Sequence, residues 1–169
     1  MALFSIDIDN LQQLFLVQLR DLYDAEQQIT EALPKMIEKA TNPQLKSALQ
    51  EHLEVTRKQI GRLEQIFQGM NQKPKGETCK GMKGIISEGE DLVSKADKPG
   101  ARDASIITAA QRVEHYEMAG YGTVRTYAQQ LEKPEFARLL EQTLSEEKEA
   151  DVKLSQIAET ANIEAKRAA

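Results

Sequence analysis

The stretch RDASIITAAQRVEHYEMAGYGT, residues 102–123, reads as a helix with acids on its apolar face. Ala110, Val113, Tyr121, Val124 and Ala128 recur at helical spacing, and Glu114 and Glu117 fall among them, three residues apart. Burying a carboxylate is costly unless it is protonated, paired or bound to a cation. Two such residues on one core face therefore ask for an explanation, and the rest of the chain repeats the pattern.

In LSEEKEADVKL, residues 144–154, the row Leu140, Leu144, Glu147, Asp151, Leu154, Ala158 puts acids at two successive core positions. In LYDAEQQI, residues 22–29, Glu26 interrupts the stripe Leu11, Phe15, Leu19, Leu22, Ile29, Leu33. In HLEVTRKQIGRLEQIF, residues 52–67, His52, Thr56 and Gln59 share the face of Leu45, Leu49, Leu53, Ile60, Leu63 and Phe67.

These stretches define four long helices and an all-α fold. The first runs from about Asp9 to Ala40, with Asp9 or Asn10 as N-cap and a kink expected at Pro34. Thr41-Asn42 is a tight turn, and Pro43 suits the first turn of the second helix, which ends near Met70. Residues 71–100 hold five of the nine glycines and two of the five prolines, and read as a connection with one short helix near Cys79 to Lys95. The third long helix spans about Ala101 to Leu131, and the fourth follows Lys133-Pro134 and ends near Thr160. Residues 1–160 thus form one domain, and 161–169 a flexible tail. Two antiparallel hairpins joined by one long crossover make a ferritin-like four-helix bundle.

At ~1.5 Å rise per residue, antiparallel pairing brings Glu26, His52, Gln59, Glu114, Glu117, Glu147 and Asp151 near one level. The core rows offer little Lys or Arg, with Arg112 the one nearby candidate. Two divalent metal ions would offset the charge, and oxygen-rich ligation with little imidazole suits iron, then manganese, over a structural zinc. His52 is open between a ligand and a hydrogen-bonded rim histidine. His115 points about 100° away from Glu114 and is placed outside the ligand set. Glu51, Glu54, Glu146 and Glu149 are assigned to solvent, and Tyr121 to the interior beside the acids.

Composition narrows the class. The net charge is -5, with 27 acidic against 22 basic residues, which argues against a nucleic-acid partner. No apolar run approaches the ~20 residues of a membrane span. MALFSIDIDN lacks the basic start and cleavage site of a secretory signal, so a cytoplasmic location is expected. The single cysteine, Cys79, excludes an internal disulfide and reads as a semi-buried free thiol.

The four quoted stretches resemble the YciE/YciF family of ferritin-like bacterial stress proteins; the RVEHYE-x-A-x-YGT and EEKxAD runs are the specific ones, and the VEHYE and RDA runs place the chain nearer the YciF side. The resemblance implies a rubrerythrin-like fold, a homodimer, a di-iron or similar site and a ferroxidase-like role. It implies ligand roles for Glu26, Glu114, Glu117, Glu147 and Asp151, with Asp151 where the class has His; Glu117 and Glu147 would bridge the metals. The second helix departs from the class pattern: it has Glu54-x-x-Arg57 in place of Glu-x-x-His, both facing away from the core. Three readings remain: an oxidoreductase acting on Fe(II), O2 or peroxide, a non-catalytic metal binder, or a structural bundle with an acidic layer.

Overall fold

The computed structural model describes residues 8–75 and 77–167. The reading of 1–7 as free of a signal, and the last two residues of the expected tail, lie outside them. Within the described residues the chain is all-helical: α1 (Leu11–Lys39), α2 (Pro43–Gly69), α3 (Lys80–Ser94), α4 (Pro99–Gln130) and α5 (Pro134–Arg167). None of these helices is long and apolar enough to cross a membrane.

Local chemistry sets the ends. Asn10 caps α1 by accepting from the Gln13 amide at 2.9 Å, and α1 continues through Pro34 to Lys39. Asn42 caps α2, with Pro43 at the first helical position where a missing N–H costs nothing. The turn between them is tied to α4 by a buried acid: Asp103 accepts from the Thr41 amide (2.7 Å), the Thr41 hydroxyl and the Asn42 amide (2.8 Å). These bonds satisfy the charge and fix the level of α4 relative to the first hairpin. The Cys79 backbone fastens the start of α3 to α1, donating to Asp24 at 2.7 Å and accepting from Gln28 at 3.1 Å.

α1 packs on α2 and α4, and α5 packs on α4 and α2, so the four long helices close a ring, with α3 laid across α4 and α1. Gly120 allows one close approach: a Cβ there would lie 2.7 Å from a Leu22 methyl. The one correction to the helix limits is at the C-terminus. α5 does not stop near Thr160 but continues to Arg167, because Ile157 and Ala161 are buried against the same cluster as Leu154.

Apolar side chains gather in two clusters. One surrounds Ile29, Leu33, Leu45, Leu49, Ile106 and Leu154; the other surrounds Phe15, Leu19, Leu63, Phe67, Val124 and Leu140. On α2, α4 and α5 the polar residues singled out by the sequence lie around the junction of the two clusters, and on α1 Glu26 follows Ala25 at the edge of the first.

Candidate metal centre

Helical phase builds the layer. Glu114 and Glu117 project from one face of α4, with Tyr121 one turn on; Thr56 and Gln59 lie on the α2 face begun by His52; α1 supplies Glu26 and α5 supplies Glu147. Glu26, Thr56, Gln59 and Glu147 are 0% exposed, and Glu117 and Glu114 are 1% and 2%. Ligand atoms of His52, Glu114, Glu117 and Glu147 all lie within 4.8 Å of one another. Glu26 sits beside them and accepts from the Tyr121 hydroxyl.

The layer is under-bonded. Glu26 Oε2, His52 Nε2, Glu114 Oε2, both Glu117 carboxyl oxygens and Glu147 Oε2 are buried without a hydrogen-bond partner among the described residues. His52 Nε2 is 3.4 Å from Glu114 Oε1 but makes no hydrogen bond to it. Unpaired buried polar atoms are rare in folded proteins. Six of them converging from four helices fit a cation, which takes several such oxygens and a neutral imidazole at once.

Electrostatics agree with the geometry. Burial, and then the charge of Glu147, push Glu26, Glu114 and Glu117 well above the usual carboxyl range. Burial pushes Glu147 up to about 7. Burial also lowers His52 to about 4, against the pull of the Glu146 charge, so its imidazole is neutral and free to ligate. Without a cation, the layer holds protons on its carboxyls, which a bound cation would displace.

Not every expected residue lies in this group. Asp151 is half-buried at its edge, accepting from Gln111 at 3.1 Å with His115 Nε2 at 3.4 Å. Its charge still raises Glu114. His115 is exposed on the outer face, as its phase predicts. Gln59 holds Glu147 from behind: its Nε2 donates to Glu147, and to Glu146 at 3.1 Å, while its Oε1 is unpartnered. Glu54 and Arg57 face solvent and pair with each other.

Two assignments are corrected. Glu146 does not point freely to solvent. It is half-buried and held by both Arg62 guanidinium nitrogens at 2.6 Å, because Arg62, one turn beyond Gln59, lies along the α2–α5 seam and also reaches Thr143 at 3.1 Å. Burial alone would raise Glu146, but the Arg62 bonds and charge hold it below the usual range. The cation near the acids is therefore Arg62. Arg112 turns outward to the exposed Glu88 at 2.7 Å. The bidentate fit of Arg62 was detectable only as an Arg and a Glu at matching depths of two adjacent helices.

Comparison with known proteins gives this arrangement a family. The chain is 41% identical to Escherichia coli YciF over 154 residues, covering 90% of this chain and 93% of that one. The crystal structure of that stress protein superposes with a TM-score of 0.87, covering 91% of this chain and 98% of the other. YcfI from Rhodopseudomonas palustris superposes equally well, with a TM-score of 0.87 and 47% identity, over 90% of this chain and 98% of its own. The family model described as a domain of unknown function, DUF892, matches residues 10–167, and the chain belongs to that family.

Proposed function

We propose that this chain is a ferritin-like four-helix bundle holding two divalent metal ions, iron ahead of manganese, and acting as a ferroxidase-like or peroxide-consuming stress protein. The observation that carries this is the set of six unpartnered buried donor atoms on Glu26, His52, Glu114, Glu117 and Glu147. These five side chains would hold the metal, with Asp151 at the rim. A bound iron pair would supply electrons to O2 or peroxide. The chain's own part is to keep His52 neutral, to orient Glu147 through Gln59 and Glu26 through Tyr121, and to accept and release the protons that cation binding displaces. The stress role follows the description of E. coli YciF. A homodimer without nucleic-acid partners rests on the family resemblance and the net charge of -5.

Anaerobic Fe(II) loading followed by O2 tests the reading: a ferric absorbance band should form. No band, and no turnover with peroxide, would remove the redox role. The second reading, a metal binder or a structural bundle, is favoured by the absence of Glu-x-x-His from α2, where Glu54 and Arg57 face solvent. A structural role has also been suggested for YcfI. Metal analysis of protein purified without chelator separates these two. Bound metal without turnover gives the binder, and metal-free protein gives the structural bundle.

A further inference from the structure

Between α2 and α5 a cavity of about 240 Å³ connects the surface to the polar layer. Its outer wall carries Glu51, Glu149 and Lys153, all exposed. Farther in is Glu146, half-buried and held by Arg62 at 2.6 Å. At its inner end are His52 and Glu114, whose side chains are only 10% and 3% exposed, and whose Nε2 and Oε2 have no hydrogen-bond partner. Glu26, Glu117 and Tyr121 do not line it.

We propose that this cleft is the route by which a divalent cation reaches the layer, with Glu149 drawing it in and Lys153 opposing it. The proposal rests on the metal-centre reading and adds the residues that govern access. A cation following the wall passes from water to an exposed carboxylate, then to a half-buried one, and then to two buried atoms that lack partners. Each stage replaces part of its hydration with protein oxygen or nitrogen. Among the described residues Lys153 is the one cation on the wall, and its ammonium donates to Glu51 across the mouth. That pair cancels the Glu51 charge and leaves Glu149 as the outermost free carboxylate. Clefts lined by one sign of charge concentrate counter-ions and raise their association rates, an effect that salt screens.

The test is stopped-flow absorbance of Co(II) binding to the full, metal-stripped chain. Glu149→Lys should slow association about tenfold at low ionic strength, with the gap narrowing in high salt, while Co(II) stoichiometry at saturation is unchanged. Lys153→Ala should speed association severalfold. Glu135→Lys carries the same charge change at the far end of α5, and should leave the rate near that of the unmodified chain. All three sites are exposed, so folding is not at stake. If Co(II) binds with the same stoichiometry but Glu149→Lys associates at the original rate, or Glu135→Lys slows it equally, the route is overturned and the metal centre stands. If the unmodified chain takes up no Co(II), both fall.

Discussion

The two sides of the polar layer are built differently. On the α1–α4 side, Glu26, Glu117 and Tyr121 are sealed, and the tyrosine hydroxyl donates to Glu26. On the α2–α5 side, Glu147 is backed by Gln59, Glu146 by Arg62, and His52 opens toward a cleft. The sealed side concentrates unpartnered carboxyl oxygens, and the other side supplies donors, a positive charge and access to water. A bundle with both sides sealed would trap whatever charge it folded around. One with both sides open would gain little electrostatic strength from its low dielectric.

The largest effect that tests this contrast is on the sealed side. Glu117→Leu removes both unpartnered oxygens of that residue. In chelator the variant should unfold at higher denaturant than the original chain, by about 1–4 kcal/mol, because an uncompensated buried carboxyl is replaced by a packed apolar group. With Mn(II) or Fe(II) at 100 Kd, the original chain should gain about 2.7 kcal/mol and the variant almost none. Equal gains in both would show that the sealed side does not hold the metal.

Next in size is the pH dependence of the metal-free chain. Glu26, Glu114, Glu117 and Glu147 all have carboxyl pKa values raised on folding, chiefly by burial. The folded chain therefore binds more protons than the unfolded one above the ordinary value of 4.5, and stability falls as pH rises. For Glu147 alone the loss runs from about 4.5 to about 7 and amounts to roughly 3 kcal/mol. Denaturant unfolding in chelator from pH 5 to 8 should show that decline. His52, lowered to about 4 by burial, contributes in the opposite sense below its ordinary 6.5, so stability that is flat or rising between pH 6.5 and 8 would mean the four carboxyls are not buried as a group.

The sealed side was also the more legible one in the sequence. Glu26, Glu114 and Glu117 interrupt apolar rows, one of which Tyr121 belongs to, and helical phase has little freedom there. The α2–α5 side was read less well for a geometric reason. Asp151 follows Glu147 by one turn of α5, yet it ends at the rim, where Gln111 and His115 meet it. Arg62 and Glu146 lie on the boundary between faces, and which way a long side chain turns there depends on its partner across the seam. Periodicity placed His52 and Gln59 inward but could not say that Gln59 donates to Glu147. The four long helices were legible from their stripes and turn residues. The last turns of α5 were missed because Ala161 is a small residue whose burial depends on tertiary packing.

A smaller effect separates the sides by bond type. Tyr121→Phe deletes the hydroxyl donor to Glu26 with little change of shape and should cost about 1–2 kcal/mol in the metal-free chain. Arg62→Met frees a Glu146 that still reaches water, and should cost less, about 1 kcal/mol. Thermal melts of the two variants give the comparison. A larger loss for Arg62→Met would mean that the α2–α5 seam depends on its ion pair more than the layer depends on its tyrosine.

The smallest expected effect is at Glu54 and Arg57 of α2, the positions where the proposed metal-bundle class would have Glu-x-x-His. Glu54 and Arg57 are 63% and 55% exposed and contact each other. Exposed pairs of this kind contribute within about 0.5 kcal/mol, so Arg57→Ala should leave the melting midpoint and the bound metal essentially unchanged. The value of the experiment lies in its sensitivity to rotation of α2. His52, Thr56 and Gln59 face inward only if Glu54 and Arg57 face outward, since the two sets lie on different faces of one helix. Loss of metal on Arg57→Ala or Glu54→Ala would mean that α2 presents its other face to the layer. The donors that now back Glu147 and Glu146 would then point elsewhere, and the contrast between a sealed and an open side would fail with them.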